Sequence, residues 1–388
     1  MSEFVVKLSY SGHANAVHKP SGVSVHSAVD PLREAHCVAE LLARQHGSVL
    51  LVGNGLGYLA NELKKREALS ACVEVFGTLA TLCKVHGVFR DQLLCETRDS
   101  MTRVFSTFLP GSRLIVMPYV RTLAPFLDTG LRECLNTAHV RAVSREVYDP
   151  IVSKNISENE RLITSVKQLD FAEFCSPRIP VAVGSSPSLS VSIECLREFR
   201  SELTIVAASG AIPVLRQFGL NADFIVAMEA RSTVLDDLEF ANGSEWTIVF
   251  PWTHPQVLRN LKLPLLMVSQ DQNIFTQGGA SGLAAADIAS RLGPAPIYLI
   301  GMDMSDSFGE YSKGVARTSA NFSLSAPKFD FMRNSARAWA QNSGKQFKHV
   351  VMPGTERIHG FDQIYPVELR TAFERDICER ELLSHCHD

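Results

Sequence analysis

The stretch IPVAVGSSPSL at residues 179–189 predicts a buried strand, a turn of small residues and the start of a helix. Residues 179–183 are apolar or small, which is typical of a strand that is buried on both faces. A glycine and two serines follow, and Pro187 then opens an apolar run with helical spacing, where proline in the first turn is favoured. These three elements are the first half of a βαβ unit and indicate an α/β protein.

The turn after this strand is suited to binding an anion. The first amides of a helix have no partner inside the helix, and the helix dipole places partial positive charge there. Without large side chains in the way, a phosphate or carboxylate can approach those amides. The residues predicted to hold a nucleotide phosphate here are Gly184, Ser185, Ser186 and Ser188. The same residues are also typical of an ordinary capped helix start, and they have neither the P-loop nor the GxGxxG spacing.

Strands and helices continue to alternate after this stretch, which predicts an open and mostly parallel sheet with helices on both faces. The predicted strands are residues 179–183, 203–208, 224–228, 246–250, 264–269, 296–301 and 347–352. The predicted helices are residues 188–200, 211–218, 279–292 and 327–343.

Ligands of such sheets bind beyond the carboxyl ends of the strands, so the residues at those ends are the candidates for a site. Small residues predicted to bind the nucleotide there are Ser209, Gly278, Gly279 and Ser281. The predicted catalytic residues are Glu229 and Asp303 at two strand ends, and His359 in a polar loop after the last predicted strand. Each residue taken singly is equally typical of an ordinary loop, and no cluster with metal-ligand spacing is evident.

The first part of the chain contains a second strand, glycine turn, helix and strand, at residues 48–52, 53–57, 58–65 and 71–75. This order resembles the opening of a Rossmann-like nucleotide site. The predicted binding residues are Gly53, Gly55, Gly57 and Glu74, the last of which either holds a ribose or is a solvated strand end.

Composition indicates an ordinary soluble protein. The chain has 388 residues, of which 46% are apolar and 20% charged, and its net charge of -3 with no basic stripe argues against a nucleic-acid binder. No apolar run approaches the roughly 18 residues of a membrane span, and no signal peptide is evident. Nine scattered cysteines without a CxxC pair are typical of reduced thiols in the cytoplasm.

The length predicts two or three domains. We expect a Rossmann-like domain over residues 1–150, a polar helical linker over 151–177, a nucleotide-binding α/β domain over 178–362 and a C-terminal helix over 363–388. That helix is amphipathic, and it either closes the fold or makes a homodimer contact.

Four stretches together resemble the motility accessory factor family of flagellin glycosylation and its relatives, the 6-hydroxymethylpterin pyrophosphokinase (MptE-like) proteins. The order and spacing of the stretches carry the resemblance more than any single motif. They are residues 26–35 (HSAVDPLREA), 53–58 (GNGLGY), 183–189 (VGSSPSL) with 218–224 (FGLNADF), and 278–293 running into 300–303 (IGMD), with a looser fit at 353–356 (PGTE).

The resemblance implies two Rossmann-like domains, of which the central one is similar to bacterial sialyltransferases. It favours a glycosyltransferase that uses a CMP-activated nonulosonic (sialic-type) sugar and a small-molecule or flagellin-type protein acceptor. A pterin pyrophosphokinase that uses ATP with Mg²⁺ is the alternative, and it needs Glu229 and Asp303 to converge on the metal. A non-catalytic nucleotide-binding module is the third possibility. From the sequence we also expect that Gly184→Val removes nucleotide binding and leaves the fold largely intact.

Overall fold

The computed structural model describes residues 3–44, 47–260, 262–276, 280–305, 312 and 325–385. The chain forms two compact units, Met1–Val143 and Ser144–Asp388. Each unit is built around a parallel sheet with helices, so the predicted α/β class is confirmed. The finer division of the chain at residues 178 and 362 stays a prediction. Within the described residues, no helix is both long enough and apolar enough to cross a lipid bilayer.

The first unit contains a small antiparallel hairpin and a four-stranded parallel sheet of order β5-β4-β3-β6. Asp30 caps the first helix through its side chain, which accepts from the amides of Leu32 and Arg33, and Pro31 is the first helical residue. Its elements are β1 (Phe4–Leu8), β2 (Ala14–His18), α1 (Pro31–Ala43), β3 (Ser48–Val52), α2 (Tyr58–Lys65), β4 (Leu69–Glu74), α3 (Gly77–His86), β5 (Leu93–Leu94), α4 (Arg98–Phe108), β6 (Ser112–Val116), α5 (Pro118–Thr122) and α6 (Thr129–Val147), whose last residues lie beyond the boundary of the unit.

The second unit contains the larger sheet. Its elements are α7 (Asp149–Ile163), β7 (Lys167–Gln168), α8 (Phe171–Phe174), β8 (Ile179–Val183), α9 (Ser188–Glu198), β9 (Leu203–Ala208), α10 (Ile212–Gln217), β10 (Phe224–Ala227), α11 (Thr233–Leu238), β11 (Trp246–Val249), α12 (Pro255–Asn260), β12 (Leu265–Met267), α13 (Ser281–Leu292), β13 (Ile297–Ile300), α14 (Ser325–Ser343), β14 (Phe347–Val350), β15 (Asp362–Ile364) and the C-terminal helix α15 (Leu369–His385).

Nine parallel strands form this sheet in the order β15-β14-β13-β8-β9-β10-β11-β12-β7. From β8 the chain builds outward through β9, β10, β11 and β12, and it then returns to place β13 on the other side of β8. All residues of β8 are buried, as expected for a central parallel strand that is covered on both faces. The strand order reverses between β8 and β13, and ligands of open α/β sheets bind at such a switch point.

Two glycines let the ends of β8 and β13 approach closely. A Cβ atom added at Gly184 would lie 2.3 Å from the carbonyl oxygen of Gly301, and one added at Gly301 would lie 2.2 Å from the carbonyl oxygen of Gly184. Gly301 also has a φ of +69°, which residues with a side chain rarely adopt. The switch point therefore depends on glycine at both positions.

Candidate functional site

A cleft of about 150 Å³ lies at the carboxyl ends of the central strands of the second unit. Gly184 follows β8, Ser209 follows β9, Glu229 follows β10 by one residue, and Ser281 begins α13. Six of the residues predicted from sequence line this cleft together: Gly184, Ser185, Ser186, Ser209, Glu229 and Ser281. The other lining residues are Ala208, Gly210, Ala280, Gly282, Leu283, Gly301, Met302, Met304, Lys328, Phe329 and Met332.

The cleft is lined by several hydrogen-bond donors that the fold does not use. Within the described ranges, the Ser185 amide and the hydroxyls of Ser185, Ser186 and Ser281 have no hydrogen-bond partner. Ser209 differs, because its hydroxyl is buried and donates to Oδ2 of Asp237 at 3.2 Å. The free donors lie in the turn that precedes α9 and at the first residue of α13, and they are suited to the oxygens of an anion.

Ser188 and Asp303 lie beneath the cleft and bond to each other. Asp303 Oδ2 accepts from the Ser188 amide at 2.9 Å, and the Ser188 hydroxyl accepts from the Gly301 amide at 3.0 Å. Both side chains are buried, and neither residue lines the cleft. Ser188 was expected to contact a phosphate. The structure argues against this contact, because the Ser188 amide already donates to the Asp303 carboxylate. The catalytic role expected of Asp303 stays a prediction, because its buried Oδ1 atom has no hydrogen-bond partner among the described residues.

The two carboxylates expected to share a metal are far apart. Glu229 follows β10 and Asp303 follows β13, and two strands, β8 and β9, lie between these strands. Three strand spacings amount to about 14 Å. Burial raises the pKa of Asp303 above its usual value, and the hydrogen bonds from Ser188 oppose this shift. In the described part of the chain, no group of three His, Cys, Asp or Glu side chains has the arrangement of a metal site.

Glu229 contributes a carboxylate to the cleft. Its Oε1 accepts from the Arg231 amide at 3.1 Å and lies 3.4 Å from Nε of the Arg231 guanidinium. The guanidinium in turn lies over the ring of Tyr148, 4.9 Å from its centroid. The cleft thus has a carboxylate at its β10 side, with a cation beside it.

Lys328 is a cleft residue that the sequence reasoning missed. It lies in the first turn of α14, where the helix dipole disfavours a cation unless an anion is near. Its Nζ atom is 5.7 Å from the centroid of the Phe329 ring, which also lines the cleft. The signal in the sequence was a lysine at the second residue of the predicted helix 327–343.

The remaining predicted residues of this unit lie elsewhere. His359 is exposed in the loop between β14 and β15 and does not line the cleft, whereas Gly278 and Gly279 lie outside the described residues. A different histidine, His349 in β14, donates from Nε2 to the carbonyl oxygen of Met302 at 2.8 Å. Burial lowers the pKa of His349 to about 4. His349 therefore holds the Met302 backbone of the cleft as a neutral donor.

The carboxylate of Glu74, in the first unit, is fully buried and saturated with hydrogen bonds. It accepts from the hydroxyl of Tyr119 at 2.6 Å and from the amides of Gly55 at 2.8 Å, Val75 at 2.9 Å and Phe76 at 3.2 Å. Burial raises its pKa, and these bonds oppose the rise. The four donors occupy both carboxylate oxygens, which argues against the expected ribose contact of Glu74.

The glycine turn of this unit is also occupied by its own side chains. His26 Nε2 accepts from the Leu56 amide at 2.8 Å. A Cβ atom at Gly53 would lie 2.6 Å from Val120, one at Gly55 would lie 2.5 Å from His26, and one at Gly57 would lie 2.6 Å from the Phe89 backbone. These glycines therefore permit close packing inside the unit, and the expected approach of a nucleotide to them stays a prediction.

Comparison with known proteins bears on the second unit. Residues 152–308 match the family model described as 6-hydroxymethylpterin diphosphokinase MptE-like. No curated protein matches the chain. A solved structure that is similar to this chain is the MAf glycosyltransferase from Magnetospirillum magneticum AMB-1, with a TM-score of 0.45 and 12% identity over 98% of this chain and 74% of that one. The family match confirms the expected resemblance, and the matched residues 152–308 include the strand ends at the switch point.

Proposed function

We propose that the second unit is a nucleotide-dependent transferase whose cleft binds a nucleotide phosphate. The observation that carries the proposal is the set of unpartnered donors at the switch point of the sheet, from Ser185, Ser186 and Ser281. Lys328, the one cation among the described lining residues, supplies the charge that offsets a phosphate. The MptE-like match supports a transferase, because a diphosphokinase transfers a group from a nucleotide.

The reaction that we favour is glycosyl transfer from a CMP-activated nonulosonic sugar. Such a donor carries a single phosphate, and one lysine with two serine turns is enough to hold it. On departure of CMP, the Ser185–Ser186 turn and Lys328 stabilise the phosphate that leaves, and Glu229 takes the proton of the acceptor hydroxyl. We place the reaction in the cytoplasm, because the eight cysteines of the described ranges are free thiols.

A pterin diphosphokinase is the second candidate, and the description of the matching family model favours it. That reaction uses Mg²⁺ to bridge the phosphates of ATP, which needs carboxylate oxygens near the cleft. Glu229 is the one carboxylate among the described residues that line the cleft, and Asp303 is committed to capping Ser188. This geometry makes CMP the ligand to test first.

Calorimetric titration of the purified chain with CMP, cytidine and ATP, each with Mg²⁺ and with EDTA, tests the proposal. We expect CMP to bind with or without metal and cytidine to bind about 10- to 150-fold more weakly, because a charge-assisted phosphate contact contributes about 1.5–3 kcal/mol. Lys328→Ala is expected to lower CMP affinity toward that of cytidine. Lys154→Ala, at an exposed lysine near Glu158, is the matched control and leaves affinity unchanged.

The other outcomes are equally informative. Binding of ATP that requires Mg²⁺, without binding of CMP, would assign the diphosphokinase reaction. Failure of all three ligands to bind would refute the nucleotide site. Equal affinity of the wild-type chain for CMP and cytidine would show that the phosphate contributes nothing to binding in the cleft.

A further inference from the structure

Two asparagines lie buried on one face of α7, in a segment whose polarity predicted only a linker. Asn155 is 4% exposed and Asn159 is 0% exposed, and they are one helical turn apart. Asparagine is unfavourable in a helix interior, and burial of its amide is costly unless the amide is hydrogen-bonded. Both positions therefore need a reason in the tertiary structure.

Each amide bridges two carbonyl groups of loops at the carboxyl ends of strands. Asn155 Nδ2 donates to the carbonyl oxygens of Ala230 at 2.7 Å and Trp252 at 3.1 Å. Asn159 Nδ2 donates to those of Pro251 at 2.9 Å and Thr253 at 2.7 Å. Asn155 thus joins the loop after β10 to the loop after β11, whereas Asn159 holds the loop after β11 alone.

The loop that Asn155 holds is the one that carries Glu229. Three successive carbonyl groups of this loop are each bound by a donor from another element. Met228 accepts from the indole nitrogen of Trp252 at 3.1 Å, Glu229 accepts from the His254 amide at 3.2 Å, and Ala230 accepts from Asn155. The backbone on both sides of Glu229 is therefore fixed from outside its own strand.

We infer that Asn155 is a positioning residue that holds Glu229 at the cleft. The inference rests on the proposed function, which gives the Glu229 carboxylate a task that depends on its position. A functional side chain on a loop must be held to within about 0.5 Å, and its supporting hydrogen bonds do this. Asn155 acts through the Ala230 carbonyl and ties it to the Trp252 loop, which in turn holds Met228. Asn159 makes the same kind of contacts without touching the Glu229 loop.

This difference provides a matched pair of variants, Asn155→Ala and Asn159→Ala. Each loses two hydrogen bonds to buried carbonyl groups, so similar falls in melting temperature are expected. Hydrogen exchange of the peptides containing residues 228–232 and 250–254 then measures directly how firmly the two loops are held. We expect Asn155→Ala to accelerate exchange in both peptides, including the Arg231 amide that donates to Glu229, and Asn159→Ala to accelerate it mainly in the second.

Release of CMP from CMP-N-acetylneuraminate measures the consequence for the site. We expect Asn155→Ala to lower kcat about 100-fold, because a displacement of about 1 Å has that effect, with CMP affinity within about threefold of wild type. The pH profile of kcat should flatten, as we also expect for Glu229→Gln. Asn159→Ala should keep the pH profile of the wild type. If the role of Asn155 were merely structural, Asn155→Ala would keep that profile as well.

Unchanged exchange at residues 228–232 in Asn155→Ala would overturn the inference, and so would equal kinetic losses in the two variants. If Asn155→Ala does not fold, Asn155→Ser leaves a smaller polar side chain at this position and is expected to give an effect in the same direction. A wild-type chain that neither binds CMP nor cleaves the CMP-sugar refutes the proposed function. In that case the exchange measurement still tests whether Asn155 holds the loop that carries Glu229.

Discussion

Acidification from pH 7 to pH 5 is expected to destabilise the first unit by about 2 kcal/mol through His26 alone. The imidazole of His26 is buried, and its Nε2 atom accepts a hydrogen bond from the Leu56 amide at 2.8 Å. A proton on Nε2 would face that amide hydrogen, so protonation breaks the bond and leaves a charge without water. Burial accordingly lowers the pKa of His26 from 6.5 to about 4.

The sign and size of the effect follow from the two pKa values. The unfolded chain binds the proton more tightly than the folded chain does, so the contribution of neutral His26 is fully present above pH 6.5 and is lost as the pH falls toward 4. A depression of about 2.5 pH units, at about 1.36 kcal/mol per unit, corresponds to about 3.4 kcal/mol in total. About half of this stability is lost by pH 5.

The measurement compares the wild type with His26→Gln, whose side chain can still accept a hydrogen bond but does not titrate. All three tryptophans lie at positions 246, 252 and 339, so tryptophan fluorescence does not follow the first unit. Urea titrations with a hydrogen-exchange pulse on the peptide containing residues 48–60 follow it instead. We expect the wild type to lose about 2 kcal/mol more than His26→Gln between pH 7 and pH 5.

An equal loss of stability in the wild type and the variant would refute the reasoning. It would mean that the imidazole is solvated or protonated in the folded unit, and that the glycine turn is open. Nucleotide binding by the first unit would then have to be reconsidered, because the Leu56 amide would be available to a ligand.

Two further substitutions probe the second unit by urea unfolding, which tryptophan fluorescence follows there. Gly184→Ala is expected to lower the free energy of unfolding by about 3 kcal/mol, because its Cβ would meet the Gly301 carbonyl. Gly210→Ala, whose Cβ would have no atom nearer than 3.6 Å, should lower it by less than about 1 kcal/mol. Asp376→Asn is expected to cost about 3–5 kcal/mol, because Asp376 pairs with buried Lys348 at 2.7 Å, and a cost under about 1 kcal/mol would contradict this.

The sequence predicted the elements of the second sheet because local patterns specify them. Strands β8 and β9 have the predicted bounds, 179–183 and 203–208, since continuous apolar runs between glycine, proline and polar residues leave little choice. The first unit was harder. Helices α3 and α4 were not predicted, although a threonine cap on α4, Thr97, is visible in the sequence.

The general location of the site also followed from sequence, since the carboxyl ends of parallel strands meet at one edge of a sheet. Which polar groups face the cleft did not follow. Ser186 and Ser188 are the same residue type two positions apart, yet one lines the cleft and the other bonds to Asp303 beneath it. Glu74 was expected at a surface and instead serves as an internal acceptor. Residue type and spacing reveal a capacity for hydrogen bonding, and only the fold reveals the partner.

Strand order was the information that a single sequence withheld, and it bears on the expectation that two carboxylates share a metal. A metal shared by Glu229 and Asp303 required β10 and β13 to be neighbours, but β8 and β9 separate them. The same order brings Gly184 against Gly301, so Gly184 is a packing position of the sheet as well as part of the cleft. Contrary to the expectation from sequence, Gly184→Val is therefore expected to destabilise the fold. A substitution that tests phosphate binding must fall on a side chain that the sheet does not need, and Lys328 meets that condition because it reaches the cleft from a helix rather than from the sheet.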